Sequence, residues 1–141
     1  MADKSSRGCA VLALKPVAAP ARWEESVATV SVRGELDREA LWAIDYSVGR
    51  AAAEAGRIVL DLREVTHVDY GGVPEIVARR RELLARGGDL LIAARNPYVC
   101  NILKAAGGAE LLLFRTVEEA AAAAKGGRHC MVSPTRRAMR K

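Results

Sequence analysis

The chain has 141 residues, half of them hydrophobic and 28 % charged, with 22 Lys/Arg against 17 Asp/Glu and a formal net charge of +5. That is enough apolar material for one core and a single domain, and no apolar run approaches the roughly 20 residues of a membrane span. Cys9, Cys100 and Cys130 lie far apart, with no Cys-x-x-Cys pair and only His67 and His129 beside them, which argues against a zinc site and against a disulfide framework.

The charge is unevenly placed. All 17 acids fall in residues 1–124, which hold 16 Lys/Arg, whereas residues 125–141 hold six basic residues and no acid. The body is therefore close to neutral, and the basicity belongs to a segment whose Gly, Ser and Pro content predicts a flexible tail. Specific nucleic-acid recognition is not expected, and six charges on such a tail would touch anionic lipid or RNA only weakly. Residues 1–8 read as a disordered N-terminus. With no apolar signal-peptide core before Lys15-Pro16, the expected address is cytoplasmic.

In chain order, residues 9–14 predict a short first strand. Residues 15–25 predict a loop, with Pro16 and Pro20 in it and Trp23 packed on the body. Residues 27–32 alternate at period two, as a half-buried strand does. Gly34-Glu35-Leu36-Asp37 then turns the chain, and Asp37 can cap the helix that Leu41, Ile44, Val48, Ala51, Ala52 and Ala55 predict, closed by Gly56. Ile58-Val59-Leu60-Asp61-Leu62 is a buried strand, followed by a polar corner and then Val68-Asp69-Tyr70-Gly71-Gly72. The next helix buries Val73, Ile76, Val77, Leu83 and Leu84 and turns Glu75, Arg79, Arg81, Glu82 and Arg86 outward. Pro74 fits only in a first turn, so that helix starts near Gly72.

Residues 89–94 form another buried strand, and Asn96-Pro97 reads as a cap followed by a first-turn proline. Val99, Ile102, Leu103 and Ala106 line the third helix, with Cys100 as core filler, and Gly107-Gly108 stops it. Residues 111–114 suit an edge strand. Thr116 with Glu119 reads as a capping box opening a last helix over residues 117–124. Strands separated by helices imply an α/β domain over residues 9–124, mostly parallel with right-handed crossovers, the first two strands forming a hairpin at one edge.

Enzyme motifs are missing: no Gly-x-Ser-x-Gly, no Gly-x-x-x-x-Gly-Lys-Ser/Thr and no Gly-x-Gly-x-x-Gly between strand and helix. No enzyme, cofactor or resident metal is expected. His67 and Asp69 stand two apart on a strand, but no Ser or Cys nucleophile is near. Asp69 can cap the helix, while Tyr70, Gly71 and Gly72 are expected to face outward, a phenol beside bare backbone that a partner can approach closely.

Gly34-Glu35-Leu36-Asp37 after a strand, Ile58-Val59-Leu60-Asp61-Leu62, Val65-Thr66-His67-Val68-Asp69-x-x-Gly72, Arg86-Gly87-Gly88 before a strand, and Ala106-Gly107 at a helix end occur in this order. Together they resemble the STAS domain of bacterial anti-sigma factor antagonists, over about residues 10–124. The resemblance implies a mixed, mostly parallel sheet of four to five strands with about four helices mainly on one face. It also implies a switch in which an anti-sigma factor kinase phosphorylates a hydroxyl residue directly after the motif's Asp. The sequence departs from that pattern. The family reads Asp-Ser-Ser-Gly or Asp-Thr-x-Gly, and here Tyr70 holds the phosphosite position, with no aliphatic hydroxyl left in the loop.

The function expected is therefore a non-enzymatic regulatory module in a partner-switching system, docking Gly34, Glu35, Asp37, Arg38, Asp69, Tyr70, Gly71, Gly72 and Glu75 on an anti-sigma factor or kinase-like protein. Without the usual hydroxyl, binding is constitutive, set by partner abundance, or part of a different assembly. The alternative is a structural STAS subunit of a larger complex, a stressosome-type scaffold or a lipid-transport ABC complex in which it binds the ATPase subunit. Both readings admit a homo-oligomer.

Overall fold

Apolar residues that alternate along one segment and run continuously along the next set the order of the sheet. The computed structural model describes residues 10–15 and 22–125. Expectations for residues 1–9, 16–21 and 126–141, with Cys9, His129 and Cys130 among them, lie outside the described residues. Five strands pair in the order in which they occur: β1 Ala10–Lys15, β2 Val27–Leu36, β3 Arg57–Val68, β4 Asp89–Ala93 and β5 Leu113–Phe114. β1 is antiparallel to β2, the expected edge hairpin, and the other three pairings are parallel.

Each parallel step is bridged by a helix: α1 Arg38–Ala51, α2 Val73–Ala85 and α3 Pro97–Gly107. Because the strand order never reverses, right-handed crossovers put all three helices on the same face. There Leu41, Ile44, Val48, Val73, Ile76, Leu83, Val99 and Leu103 bury against Ile58, Leu60 and Leu62. The fourth helix, α4 Val117–Lys125, covers the other face, where Ala120 and Ala124 pack on Val59, Leu91 and Ala93. β4 is covered on both sides, which is why Asp89-Leu90-Leu91-Ile92-Ala93 reads without alternation.

Five expectations need correction. Gly34-Glu35-Leu36 does not turn the chain; β2 continues through it, and Gly34 takes a φ of 96° at an irregularity in the β2–β3 register. The polar corner after Leu62 is absent too, because β3 is one strand of 12 residues. Two register shifts, between Ser31 and Arg33 and between Gly34 and Glu35, each put one extra residue into β3. Such bulges break period two and re-aim side chains, so Glu64, Thr66 and His67 face solvent inside a strand. Gly56 is no helix cap. α1 ends at Ala51, and Gly56 is needed for space, since a Cβ there would stand 2.8 Å from the Trp23 ring. Trp23 packs as expected, its Nε1 donating to the Ala52 carbonyl at 2.5 Å, with the Arg86 guanidinium 4.6 Å from its ring centroid. Finally, the last edge strand is only Leu113–Phe114, and Leu83 rather than Leu84 is the fully buried member of its pair.

Arg79 clips α2 to α1 through Asp45, at 2.9 Å, and reaches Glu82 at 3.0 Å. Arg81, on the same helix, donates from Nε to Glu110 at 2.8 Å. That hydrogen bond, and secondarily the guanidinium charge, holds the Glu110 carboxyl below its ordinary range. A depressed folded-state value means that the pair's contribution is complete above the unfolded carboxylate pKa and is lost as pH falls through the folded one. A carboxyl NMR titration is expected to show Glu110 titrating below an ordinary glutamate and moving up in Arg81→Gln. An unmoved midpoint would show that the pair does not form in solution.

Candidate functional site

Parallel strands deliver their C-terminal ends, and the N-termini of the helices that follow, to one edge of the sheet. Three side-chain caps build that edge. Asp37 accepts the Ala40 N–H at 2.8 Å and opens α1; Asn96 accepts the Tyr98 and Val99 N–H groups at 2.9 and 3.4 Å and opens α3. Asp69 accepts the Gly71 N–H at 3.2 Å while its carbonyl accepts from Gly72 at 2.9 Å, closing a single turn over Tyr70–Gly72 that leads into α2. The Asp69 N–H donates to the Leu36 carbonyl at 2.8 Å, so the bend is tied to the end of β2.

This geometry brings the sequence-selected residues together. Register pairs Gly34 with Val65, Glu35 with His67 and Leu36 with Val68, so Glu35, Asp37 and Arg38 stand beside the Asp69 bend. Glu35, Asp37, Arg38, Gly71 and Glu75 are exposed, Gly34 and Asp69 half-buried, and Tyr70 is 58 % exposed. Gly72 differs from the expectation. It is buried, and a Cβ on it would lie 2.1 Å from Leu41 Cδ1, so this glycine lets α2 close on α1 instead of facing a partner. Gly71 carries the bare backbone alone; a Cβ there would meet only the Asp69 carboxylate, at 3.8 Å.

Five acids, Glu35, Asp37, Glu39, Asp69 and Glu75, share this edge with Arg38. Glu39 and Glu75 sit in first helical turns, where the positive end of the dipole favours them. His67 does not pair with Asp69. Its Nδ1 lies 3.1 Å from the Tyr98 hydroxyl, and the two rings stack at 5.7 Å between centroids with an interplanar angle of 24°. Tyr98, 53 % exposed, is a surface residue that sequence reasoning missed. Its position two after the Asn96 cap could have revealed it, since that spacing puts it at the same sheet edge as Tyr70. Trp42 and Tyr46, four apart on α1 and opposite its buried stripe, are also exposed, with the Arg50 guanidinium 6.0 Å from the Tyr46 centroid.

Beneath this surface, Leu41, Ile44 and Ile76 line a cavity between α1 and α2 with Asp45, Glu75 and Arg79 at its rim. At about 20 Å³ it has room for one water and no substrate. Among the described residues no group of three or more His, Cys, Asp or Glu is placed to hold a metal, and no helix is long and apolar enough to cross a membrane.

A sheet in sequential order with three helices on one face and a capped bend after its central strand defines a known class, and the STAS domain family matches residues 19–120. The chain belongs to that family. Among solved structures it is similar to the anti-sigma factor antagonist SpoIIAA in its unphosphorylated form, with 24 % identity, a TM-score of 0.61, and coverage of 81 % of this chain and 97 % of that one. An anti-sigma factor antagonist from Mycobacterium paratuberculosis matches with 23 % identity and a TM-score of 0.66, over 84 % of this chain and 96 % of that one. The Bacillus cell fate determinant SpoIIAA in its phosphorylated form gives 22 % and 0.53, over 77 % and 96 %. At these identities the likeness is one of fold.

Proposed function

We propose that this STAS domain is a regulatory binding module that docks its strand-end surface on a protein partner, an anti-sigma factor or kinase-like protein, and catalyses no reaction. One observation carries the reading. The Asp69 bend holds Tyr70 out beside the bare backbone of Gly71, with Glu35, Asp37, Arg38 and Glu75 around it. A rigid exposed phenol offers apolar area and a hydroxyl at little entropic cost, and tyrosine is enriched among the residues that dominate interface energies.

The residue after Asp69 also sets the regulation. A kinase site shaped for a short serine hydroxyl would find a phenol oxygen displaced outward by the width of a ring. The module therefore binds its partner without a phosphorylation switch at this position. Protein isolated from its native host is expected to show an intact mass without a phosphate increment on the bend peptide.

In a pull-down, wild type is expected to retain an anti-sigma factor or kinase-like protein. Tyr70→Glu, which places a charge where the interface buries a ring, is expected to weaken binding at least tenfold, about 1.4 kcal/mol. Equal recovery by both proteins would overturn the reading. The missing aliphatic hydroxyl also favours a second reading, a structural STAS subunit of a larger assembly. Recovery of an ABC ATPase subunit or of scaffold components in the same pull-down would select it.

A further inference from the structure

The end of the sheet away from β1 carries a feature that the partner surface does not use. Ala93 of β4 pairs with Phe114 of β5, and the Ala94 N–H donates to the Phe114 carbonyl at 2.8 Å. The chain therefore leaves both strands side by side, with Arg95 following one and Arg115 the other. Pro97, Cys100, Asn101 and Lys104 recur at three- and four-residue spacing along one side of α3 and close the space from that direction. Because β5 is only two residues long, it leaves this side of α3 uncovered. The result is an open cleft of about 320 Å³ whose walls include Leu113, Phe114 and Ala94.

Three cations line this cleft together. Arg95, Lys104 and Arg115 are exposed, and among the described residues none of their side chains is paired with a carboxylate. Glu119, nearby in sequence, accepts the backbone N–H of Arg115 and not its guanidinium. Elsewhere on the body, Arg63, Arg79, Arg80 and Arg81 are all spent on acids. Like charges gathered in a concave site raise the local concentration of anions, and a guanidinium fork matches phosphate oxygens two at a time. The volume is that of a small-molecule site, and the Phe114 and Pro97 walls add apolar area beside the charges.

We propose that this cleft binds a small soluble phosphate-bearing molecule, with Arg95, Arg115 and Lys104 taking the phosphate oxygens and Asn101 adding a neutral polar contact. The proposal is independent of what docks on the Asp69 bend.

The test is an NMR titration of the full chain at low salt with sodium diphosphate, with ADP, and with phosphatidylserine-containing vesicles. Saturable shifts at Arg95, Cys100, Asn101 and Arg115 are expected, with a dissociation constant below about 1 mM. A stronger response to ADP than to diphosphate would assign a nucleotide, and equal responses the inorganic group. Arg95→Ser with Arg115→Ser, both surface changes, is expected to weaken binding at least tenfold, whereas Arg136→Ser with Arg137→Ser in the basic tail leaves it unchanged. Alkylation of Cys100, followed on its own peptide, is expected to slow when diphosphate is bound. Shifts confined to residues 125–141, failure to saturate, an unaffected Arg95/Arg115 variant, or a response to vesicles alone would overturn the proposal.

Discussion

Arg80→Ala is expected to destabilise the protein by about 3–5 kcal/mol, the range for removing one partner of a buried ion pair. Arg80 and Asp89 meet at 2.6 Å with side chains only 12 % and 5 % exposed. The guanidinium also donates to the Glu110 carbonyl at 2.6 Å, so a single side chain joins α2, the start of β4 and the turn after α3. In the alanine variant the Asp89 carboxylate keeps the Leu90 N–H, at 2.7 Å, but loses its counter-ion in a site that water reaches poorly. Against a typical total of about 5–15 kcal/mol, a loss of that size lowers the melting temperature on the order of 10 °C or more. The diagnostic comparison is a double variant. Arg80→Leu with Asp89→Asn removes both charges and is expected to be more stable than Arg80→Leu alone. A single-variant cost under about 1 kcal/mol would mean that the pair behaves like a surface salt bridge.

Gly88→Ala has the second large effect, and it comes from backbone geometry. α2 ends in a paired-bond cap: the Gly88 N–H donates to the Leu83 carbonyl at 2.8 Å and the Gly87 N–H to Leu84 at 3.1 Å. Gly87 needs its φ of 94°, while Gly88 needs room. A Cβ on Gly88 would stand 2.1 Å from the Gly56 carbonyl oxygen and 2.9 Å from its carbon, and the neighbouring Asp89 N–H donates to that same oxygen at 2.9 Å. Both sides of the clash are backbone, so no rotamer change relieves it and β3 and β4 must separate at their first residues. The expected cost is about 3 kcal/mol, the upper end for overpacking. Gly87→Ala has nothing within 4 Å of its Cβ and is expected to cost about 1 kcal/mol, the penalty of a left-handed conformation alone. Chemical denaturation of the two variants gives the order, and a Gly87 variant as unstable as the Gly88 variant would refute this division of roles.

These two positions mark where reading the chain from its residues succeeds and where it stops. Asp37, Asn96-Pro97, Thr116 and Gly107-Gly108 announce helix ends because a cap is a local interaction, formed with N–H and carbonyl groups two or three residues away. Leu41, Ile44 and Val48 give α1, and Val99, Ile102 and Leu103 give α3, because a buried stripe is written at the helical period. Gly87-Gly88 was legible as an element end, but nothing local distinguishes the residue that needs a positive φ from the one that needs space. Gly56 reads as a cap for the same reason, until Trp23, 33 residues earlier, fills the space beside it.

The candidate surface divides in the same way. Asp69 and Tyr70 could be assigned to an exposed bend because Pro74 limits where α2 starts. Gly72 could not be separated from Gly71, since only the packing of α2 on α1 turns one glycine toward Leu41 and leaves the other bare. His67 invites pairing with Asp69 by its spacing, yet bulges in β3 aim it at Tyr98, 31 residues on.

Local sequence was enough for the α/β order of elements, the caps at the helix N-termini, the edge hairpin and the phenol in place of an aliphatic hydroxyl. All of these rest on interactions within a few residues or on the identity of a single side chain. Only the packed fold set the run of β3 through its polar stretch, the burial of Gly72, the Arg80–Asp89 link and the gathering of Arg95, Lys104 and Arg115. Each of these depends on register and helix packing between distant segments, and such contacts leave no periodic mark in the chain.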